Sequence, residues 1–286
     1  MPEHQAPSAR ANGDRDRRSA GRGDSTVRVA LVYPDLLGTY GDSGNALILA
    51  QRLRWRGVPA EIIEINAGGH VPDSCDLYVV GGGEDLPQSL AASELNAERP
   101  LHRAVEGGAA VLAICAGLQV LGRTFVGPDG VDRPGLALLD CTSTRGTGPR
   151  AVGELVVEPT AEASLPTLSG YENHGGVTTL GPDARPAGRV RTGIGNGDGE
   201  RSEGVVVGRI WGTYLHGPVL ARNPALADLL LSWVVGPLRP LDDAESNALR
   251  TDRLRMASAE ASAGAHRRAG WRQAVERAKR SRQTTP

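Results

Sequence analysis

The sequence predicts an α/β fold built on a mostly parallel central sheet with helices on both faces. Two observations lead to this prediction. Short apolar runs typical of buried strands alternate with helical segments along the first half of the chain. In addition, 286 residues with 40% hydrophobic content are enough for one sizeable core with extensions.

The elements of the first half follow one another as strand–helix–strand units. Apolar runs predict strands at 27–33, 60–65, 76–80 and 109–114. Helices are predicted at 43–56, where apolar residues recur at helical spacing, and at 101–106. After Gly122 the pattern changes to shorter strands separated by turn residues. These strands are predicted at 153–157, 188–192 and 204–211, with a loop through Asn173 and a closing helix at 223–235.

The composition predicts three regions. Residues 1–26 are rich in Arg, Gly, Ser and Asp and are expected to be a disordered extension. Residues 27–241 form one predicted domain. Residues 242–286 are expected to be a charged, partly helical tail, either a solvated extension or an element that docks on a membrane or a partner.

The composition also excludes several functions. A net charge of −1 and only 3% aromatic residues give no indication of nucleic-acid binding. The three cysteines have no CxxC spacing, which fits a reducing cytoplasm and argues against a disulfide scaffold or a cysteine metal site. No apolar run approaches the ~18–20 residues of a membrane span, and no secretion signal is evident.

Lysine is almost absent from the sequence. Lys279, near the C-terminus, is the only one, so the chain contains no Gly-Lys-Ser/Thr phosphate-binding loop. Any ATP-dependent step is therefore expected on another polypeptide.

Cys115 is the strongest candidate for a catalytic residue. It ends the predicted strand at 109–114, and Gly117 opens an apolar helix directly after it. A sharp strand-to-helix turn presents its side chain at the edge of the sheet, as in a nucleophile elbow, and the helix N-terminus favours a thiolate. The alternative is a buried structural cysteine.

His216 is the candidate base for this thiol. It follows the predicted strand at 204–211, so that nucleophile and base would meet in space although they are far apart along the chain. It would take the thiol proton and return it to the leaving amine. The alternative is a turn histidine bonded to the backbone.

The run Gly81-Gly82-Gly83 is the candidate oxyanion site. It follows the strand at 76–80, predicted to neighbour the strand of Cys115. Glycine lets a backbone N–H approach a developing negative charge, so Gly82 or Gly83, with the Ala116 amide, is expected to form the oxyanion hole. The alternative is a flexible turn.

These motifs resemble a known family. The segments AICAGLQ at 113–119 and YLHG at 214–217 are similar to class I (triad-type) glutamine amidotransferases, in particular their cobyric-acid-synthase-like branch. Within that branch, four further segments resemble the glutaminase subunits of lipid II isoglutaminyl synthases: YPDLL at 33–37, YGDSGN at 40–45, GGGED at 81–85 and GYENHGG at 170–176. The resemblance covers about 27–241 and implies a flavodoxin-like, three-layer domain.

The resemblance also implies an activity and a partner. Cys115 and His216 would hydrolyse L-glutamine and deliver ammonia to a Mur-ligase-like synthase subunit in a heterodimer. That subunit would amidate the D-glutamate of the lipid II stem peptide and would hold the ATP and Mg²⁺, with no metal or cofactor in this chain. The expected location is the cytoplasm, with contact to the inner face of the membrane through the lipid substrate as a further option.

Four residues are implied to bind the substrate. Gln119 would help to hold glutamine, and Asn173 and His174 would contact its amino-acid end. Arg150 is expected to pair with the glutamine carboxylate, with Arg145 as its competitor. His174 is also a rival base, ranked below His216 because it follows no clear strand.

One departure from the wider family leaves a question open. Many class I members have an acid two residues after the histidine, where this chain has Pro218. The group that orients His216 could be Glu84, Asp85, a backbone carbonyl or an acid of the partner. Two competing interpretations are a stand-alone cysteine hydrolase of γ-glutamyl or peptide bonds and a non-enzymatic module that retains an inactive amidotransferase fold.

Overall fold

The computed structural model describes residues 26–39 and 41–259. Its centre is a six-stranded sheet, whose strands are numbered in chain order as β1 (Val27–Val32), β2 (Ala60–Ile65), β3 (Leu77–Val80), β4 (Ala110–Ile114), β13 (Val205–Val207) and β14 (Ile210–Thr213). Their spatial order is β13-β14-β4-β3-β1-β2, and every pairing is parallel except that of β13 with β14. The carboxyl ends of β3, β4 and β14 therefore lie side by side.

The helices are α1 (Ser43–Trp55), α2 (Asp85–Glu98), α3 (Pro100–Glu106), α4 (Ala116–Leu121), α5 (Val219–Arg222), α6 (Pro224–Val235) and α7, over 244–259. Helices α1, α4 and α6 contact the central sheet. In α1 the buried residues Ala46, Leu49, Ala50 and Leu53 recur at helical spacing. The central strand β4 is buried on both faces, as its continuous apolar sequence requires.

Two smaller sheets follow the central one in sequence. The first has the order β10-β7-β5-β6 and consists of β5 (Thr124–Val126), β6 (Asp132–Pro134), β7 (Cys141–Arg145) and β10 (Gly176–Leu180). The second has the order β12-β11-β8-β9 and consists of β8 (Ala151–Pro159), β9 (Leu168–His174), β11 (Gly188–Thr192) and β12 (Ser202–Glu203).

The α/β class and the mostly parallel central sheet are confirmed, but several local predictions were wrong or incomplete, and strands β5, β6, β7, β10 and β12 were not predicted. Helix α2 was not predicted, because Pro87 and the exposed Leu86 and Leu90 obscure its helical pattern. The region before Asn173 is strand β9 and not a loop. The predicted strand at 204–211 is an antiparallel hairpin that turns at Gly208, whose φ of 56° glycine adopts readily.

The described part of the C-terminal region packs on the domain. Arg52 of α1 donates to Asp228 of α6 and to Asp243 at 2.7–2.8 Å, which ties the segment before α7 to the core. Further along α7, Arg250 donates to the carbonyl of Thr167 at 2.8 Å. The predicted disordered extension, except for its last residue, and the tail beyond 259 lie outside the described residues. None of the helices that the structure describes is both long and apolar enough to cross a membrane.

Arg52 offers a test of this packing. We expect Arg52→Ala to lower the free energy of unfolding by about 2–4 kcal/mol, because it leaves two partly buried carboxylates without this guanidinium. Chemical denaturation measures the loss. Arg54→Ala, at an exposed position on the same helix, is the control and should change stability by less than about 0.5 kcal/mol. Equal effects of the two substitutions would contradict this account of the cluster.

Candidate active site

Cys115 occupies a sharp turn between β4 and α4. Its backbone has φ 51° and ψ −106°, a region that a residue with a side chain adopts only when its surroundings hold it there. The Cys115 amide donates to the Thr213 carbonyl at 2.8 Å, and the Gly117 amide donates to the Gly81 carbonyl at 3.1 Å. A side chain at Gly117 would collide with the backbone of Val80 and Gly81, so the turn closes only with glycine there. This is the predicted elbow geometry.

His216 approaches Cys115 from the neighbouring strand. It follows β14, which pairs with β4, and two backbone hydrogen bonds with Tyr171 of β9 hold it, at 2.7 and 3.2 Å. The imidazole is buried and lies close enough to Cys115 for the sulfur to raise its pKa. Gly82 lies between the two, because a β-carbon there would stand 2.8 Å from His216 Cε1 and 3.5 Å from Cys115 Cβ.

Asp42 completes the cluster and was not predicted. It precedes α1, is fully buried, and places Oδ2 at 3.4 Å from His216 Nδ1. The same oxygen accepts a hydrogen bond from the Gly82 amide at 2.8 Å. Of the acids considered from the sequence, Asp85 pairs instead with Arg145 at 3.1 Å, and Glu84 caps α2 at the wall of the adjoining cleft. An acid of this chain therefore faces His216, at a position that the sequence argument did not consider.

The electrostatics of the cluster favour a protonated imidazole. Burial by itself lowers the pKa of His216, but hydrogen bonds with the Asp42 carboxylate and the Cys115 sulfur, and the negative charges of both groups, raise it to about 9. A proton taken from the thiol is thus well stabilised on the imidazole.

A cleft of about 300 Å³ opens in front of Cys115. Its walls are mainly polar and come from α2, α4, β7, the start of β8 and the end of β9. Among the lining residues are Gly83, Ala116, Gln119, Ser143, Arg145, Arg150 and His174. The cleft thus brings Cys115 together with most of the substrate-binding residues predicted from the sequence.

The two arginines of the cleft have different partners. Arg150 donates from Nε to the Asn173 side-chain oxygen at 2.5 Å and from Nη2 to the Asn173 carbonyl at 3.0 Å. Arg145 pairs with Asp85. Asn173 therefore positions Arg150 at the cleft. This contact between the two residues was not predicted from the sequence.

His174 lies at the end of β9, so the prediction that it follows no strand was wrong. The polar sequence of β9 hides its strand character, and pairing with β8 supplies it. The His174 ring stacks on Tyr214 at a centroid distance of 3.9 Å. Its Nδ1 lies 3.0 Å from the Gly176 carbonyl and its Nε2 lies 3.5 Å from Glu172, so both ring nitrogens face other groups than Cys115.

The glycines of the run at 81–83 have different contacts. Because the Gly82 amide already donates to Asp42, the remaining candidates for oxyanion donors are the amides of Gly83 and Ala116, residues that line the cleft. Within the described ranges, no group of three or more His, Cys, Asp or Glu side chains could hold a metal ion.

Comparisons with known proteins found one matching family model and several similar proteins. The model of the CobB/CobQ-like glutamine amidotransferase domain matches residues 28–224. The chain is 40% identical over 199 residues to the lipid II isoglutaminyl synthase (glutamine-hydrolyzing) subunit GatD of Staphylococcus aureus, covering 69% of this chain and 79% of that protein. It is 34% identical over 209 residues to the subunit of the same name from Streptococcus pneumoniae, covering 72% and 79%. A probable cobyric acid synthase of Methanoregula boonei is 32% identical over 169 residues, 56% of this chain and 32% of that protein.

Proposed function

Because the chain belongs to the CobB/CobQ-like glutamine amidotransferase domain family, we propose that it is the glutaminase subunit of a lipid II isoglutaminyl synthase. The family makes the chain a glutamine amidotransferase. The observation that carries the proposed mechanism is the convergence of Cys115, His216 and Asp42 at the end of one polar cleft. The similarity to the two GatD subunits supports the more specific assignment.

The reaction begins with attack of the Cys115 sulfur on the side-chain carbonyl of L-glutamine. The carbonyl oxygen becomes an oxyanion, which the Gly83 and Ala116 amides stabilise. His216 donates its proton to the departing nitrogen, so that ammonia leaves and a γ-glutamyl thioester remains on Cys115. His216 then takes a proton from water, the resulting hydroxide attacks the thioester, and glutamate leaves as the sulfur is released.

Asp42 orients the base in this scheme. Its Oδ2 lies 3.4 Å from Nδ1 and is placed to receive the Nδ1–H, which leaves Nε2 for the proton that moves between sulfur, leaving group and water. The residue that many relatives place two positions after the histidine is thus replaced by an acid from the segment between β1 and α1.

In this scheme the amino-acid end of glutamine points away from Cys115, toward the exposed Arg150. The Arg150 guanidinium, held by Asn173, is placed to bind the α-carboxylate. Gln119 and His174 form the neighbouring walls of the cleft. Arg145 remains the competitor of Arg150, although its ion pair with Asp85 uses part of its charge.

The ammonia is consumed by a second polypeptide. We assign ATP, Mg²⁺ and the lipid-linked substrate to a Mur-ligase-like synthase subunit, because the single lysine of this chain lies at 279 and no phosphate-binding loop is present. The two subunits would work in the cytoplasm, where the head group of the lipid substrate is accessible.

We expect Asp42→Asn to lower the rate of glutamine hydrolysis by about 100-fold or more, since the imidazole loses its orienting carboxylate. The substitution should also lower the pKa of His216. A raised histidine pKa stabilises the fold most below the unfolded value of 6.5, and this contribution is lost as the pH rises through about 9. The difference in unfolding free energy between wild type and variant should therefore shrink over that range. Unchanged activity would exclude Asp42 from the site.

Assembly with the partner tests the whole assignment. We expect the chain, co-expressed with a Mur-ligase-like subunit, to form a stable complex that amidates lipid II from glutamine and ATP. The chain alone should bind no ATP and amidate nothing, and calorimetry with ATP checks the first of these. Tight ATP binding by the isolated chain, or full glutaminase turnover without any complex, would favour a stand-alone cysteine hydrolase instead.

A further inference from the structure

A buried chain of hydrogen bonds runs around the floor of the cleft and is not used by the mechanism above. Gln88 donates to Gln119 Oε1 at 2.9 Å, and Gln119 Nε2 donates to the hydroxyl of Tyr214 at 3.0 Å. That hydroxyl lies 2.7 Å from Thr178 Oγ1, which lies 2.7 Å from Ser143 Oγ. The five residues come from α2, α4, the segment after β14, β10 and β7.

The chain begins and ends at the cleft. Gln88, Gln119 and Ser143 line it, while Tyr214 and Thr178 are fully buried behind them. Such a network of uncharged polar groups from five elements holds each member in one orientation, because any rotation would leave a buried group without its hydrogen bond.

Tyr214 is fixed from three sides. Its backbone amide donates to Glu203 at 2.8 Å, its ring stacks on His174, and its hydroxyl joins Gln119 to Thr178. Burial also raises the pKa of the Tyr214 hydroxyl, so that it keeps its proton for hydrogen bonding.

The order of the hydrogen bonds determines which acceptor is left for the hydroxyl proton of Ser143. Either hydroxyl could donate in the Tyr214–Thr178 and Thr178–Ser143 contacts. Because Gln119 donates to the Tyr214 oxygen, the arrangement that gives every hydroxyl proton an acceptor has Tyr214 donating to Thr178 and Thr178 donating to Ser143. In this arrangement the Ser143 hydroxyl proton is left for an acceptor in the cleft, which Ser143 lines. The cleft therefore contains a donor whose direction is set by residues behind the wall.

L-Glutamine offers two kinds of oxygen acceptor to this donor. Its side-chain carbonyl has to lie at Cys115 and the oxyanion amides, which leaves the α-carboxylate for the rest of the cleft. We propose that Ser143 binds the α-carboxylate of L-glutamine and that Tyr214 and Thr178 are positioning residues that aim its hydroxyl. This inference rests on the proposed glutaminase function and adds a specificity residue to it.

Steady-state glutamine hydrolysis by the chain in complex with its synthase partner tests the inference. We expect Ser143→Ala to raise KM for L-glutamine about tenfold with kcat changed less than about threefold, because a hydrogen bond to a charged group is lost while the reacting atoms are untouched. The matched control is Ser169→Ala, which removes a buried serine hydroxyl of β9 and should leave KM unchanged.

Two further arms separate binding from a structural role. With L-glutamine amidated at its α-carboxyl group, wild type and Ser143→Ala should differ less than about twofold, because the charged acceptor is missing. Tyr214→Phe should also raise KM for L-glutamine, and the double variant should be no worse than Ser143→Ala, since Tyr214 acts through Ser143. Thr178→Val replaces Tyr214→Phe if the latter does not fold.

The outcomes are distinguishable. Three results, obtained with a wild-type complex that turns over normally, would overturn this inference without affecting the glutaminase function. They are an unchanged KM in Ser143→Ala, equal losses on L-glutamine and on its α-amidated form, and additive effects of Ser143→Ala and Tyr214→Phe. A wild-type complex that releases no ammonia from glutamine would overturn both.

Discussion

Replacement of Cys115 by Ala is expected to abolish the release of ammonia from glutamine, with a loss on the order of 10⁶-fold in kcat if the site behaves like other nucleophile–base pairs. The sulfur is the only atom in this scheme that forms a covalent bond with the substrate. The fold should remain intact, because the side chain borders a cleft and alanine removes only the sulfur atom. Ammonia release and thermal unfolding measure the two effects.

Cys75 and Cys141 provide the controls for this experiment. Both are buried, and burial raises the pKa of the Cys141 thiol to about 12. Iodoacetamide at neutral pH should therefore modify Cys115 before the other two, since Cys115 lines the cleft and has His216 beside it to accept the thiol proton. Cys75→Ala should retain full activity. Substantial glutaminase activity in Cys115→Ala would exclude it as the nucleophile.

Loss of His216 should be nearly as damaging as loss of Cys115. The imidazole is the group that moves the proton in both half-reactions, and nucleophile and base act as a unit. His174→Ala is the matched comparison and should lower kcat by about tenfold or less, because both of its ring nitrogens face groups other than Cys115. A greater sensitivity at His174 than at His216 would show that the base has been misassigned.

The position of this pair could be predicted because it follows from the sheet alone. Cys115 and His216 each come after an apolar strand, and parallel neighbours present their carboxyl ends at one edge. The apolar run that forms β4 can be recognised without any structure, whereas β14 was predicted only as part of a single strand at 204–211. The small residues Ala116 and Gly117 after Cys115 also indicated a strained turn at this position.

Asp42 could not be placed by the same argument. It lies at the end of a loop that leaves β1, ten positions after Val32, so no strand end marks it. Only the strand order indicates its position. Strands β1 and β3 are parallel neighbours, so the loop after β1 lies beside the glycine run that follows β3. Periodicity does not supply this strand order.

The wall of the cleft was predicted only in part. Arg150, Gln119, Asn173 and His174 were recognised by residue type and resemblance, but their contacts depend on helix α2 and strand β9. Both elements are polar or interrupted in sequence, and tertiary pairing decides their structure. The hydrogen-bond network that ends at Ser143 could not be predicted from the sequence either, because its members are far apart in sequence and uncharged.

Isotope transfer tests the central claim most directly. The complex of this chain with its synthase partner is supplied with L-glutamine labelled with ¹⁵N in its amide group, ATP, lipid II and an excess of unlabelled ammonium, and the amidated lipid II is analysed by mass spectrometry. If Cys115 releases ammonia that passes to the partner without mixing with solvent, the new amide carries ¹⁵N, and with Cys115→Ala it carries only the unlabelled isotope. Product without label from the wild-type complex, or labelled product from Cys115→Ala, would contradict the account.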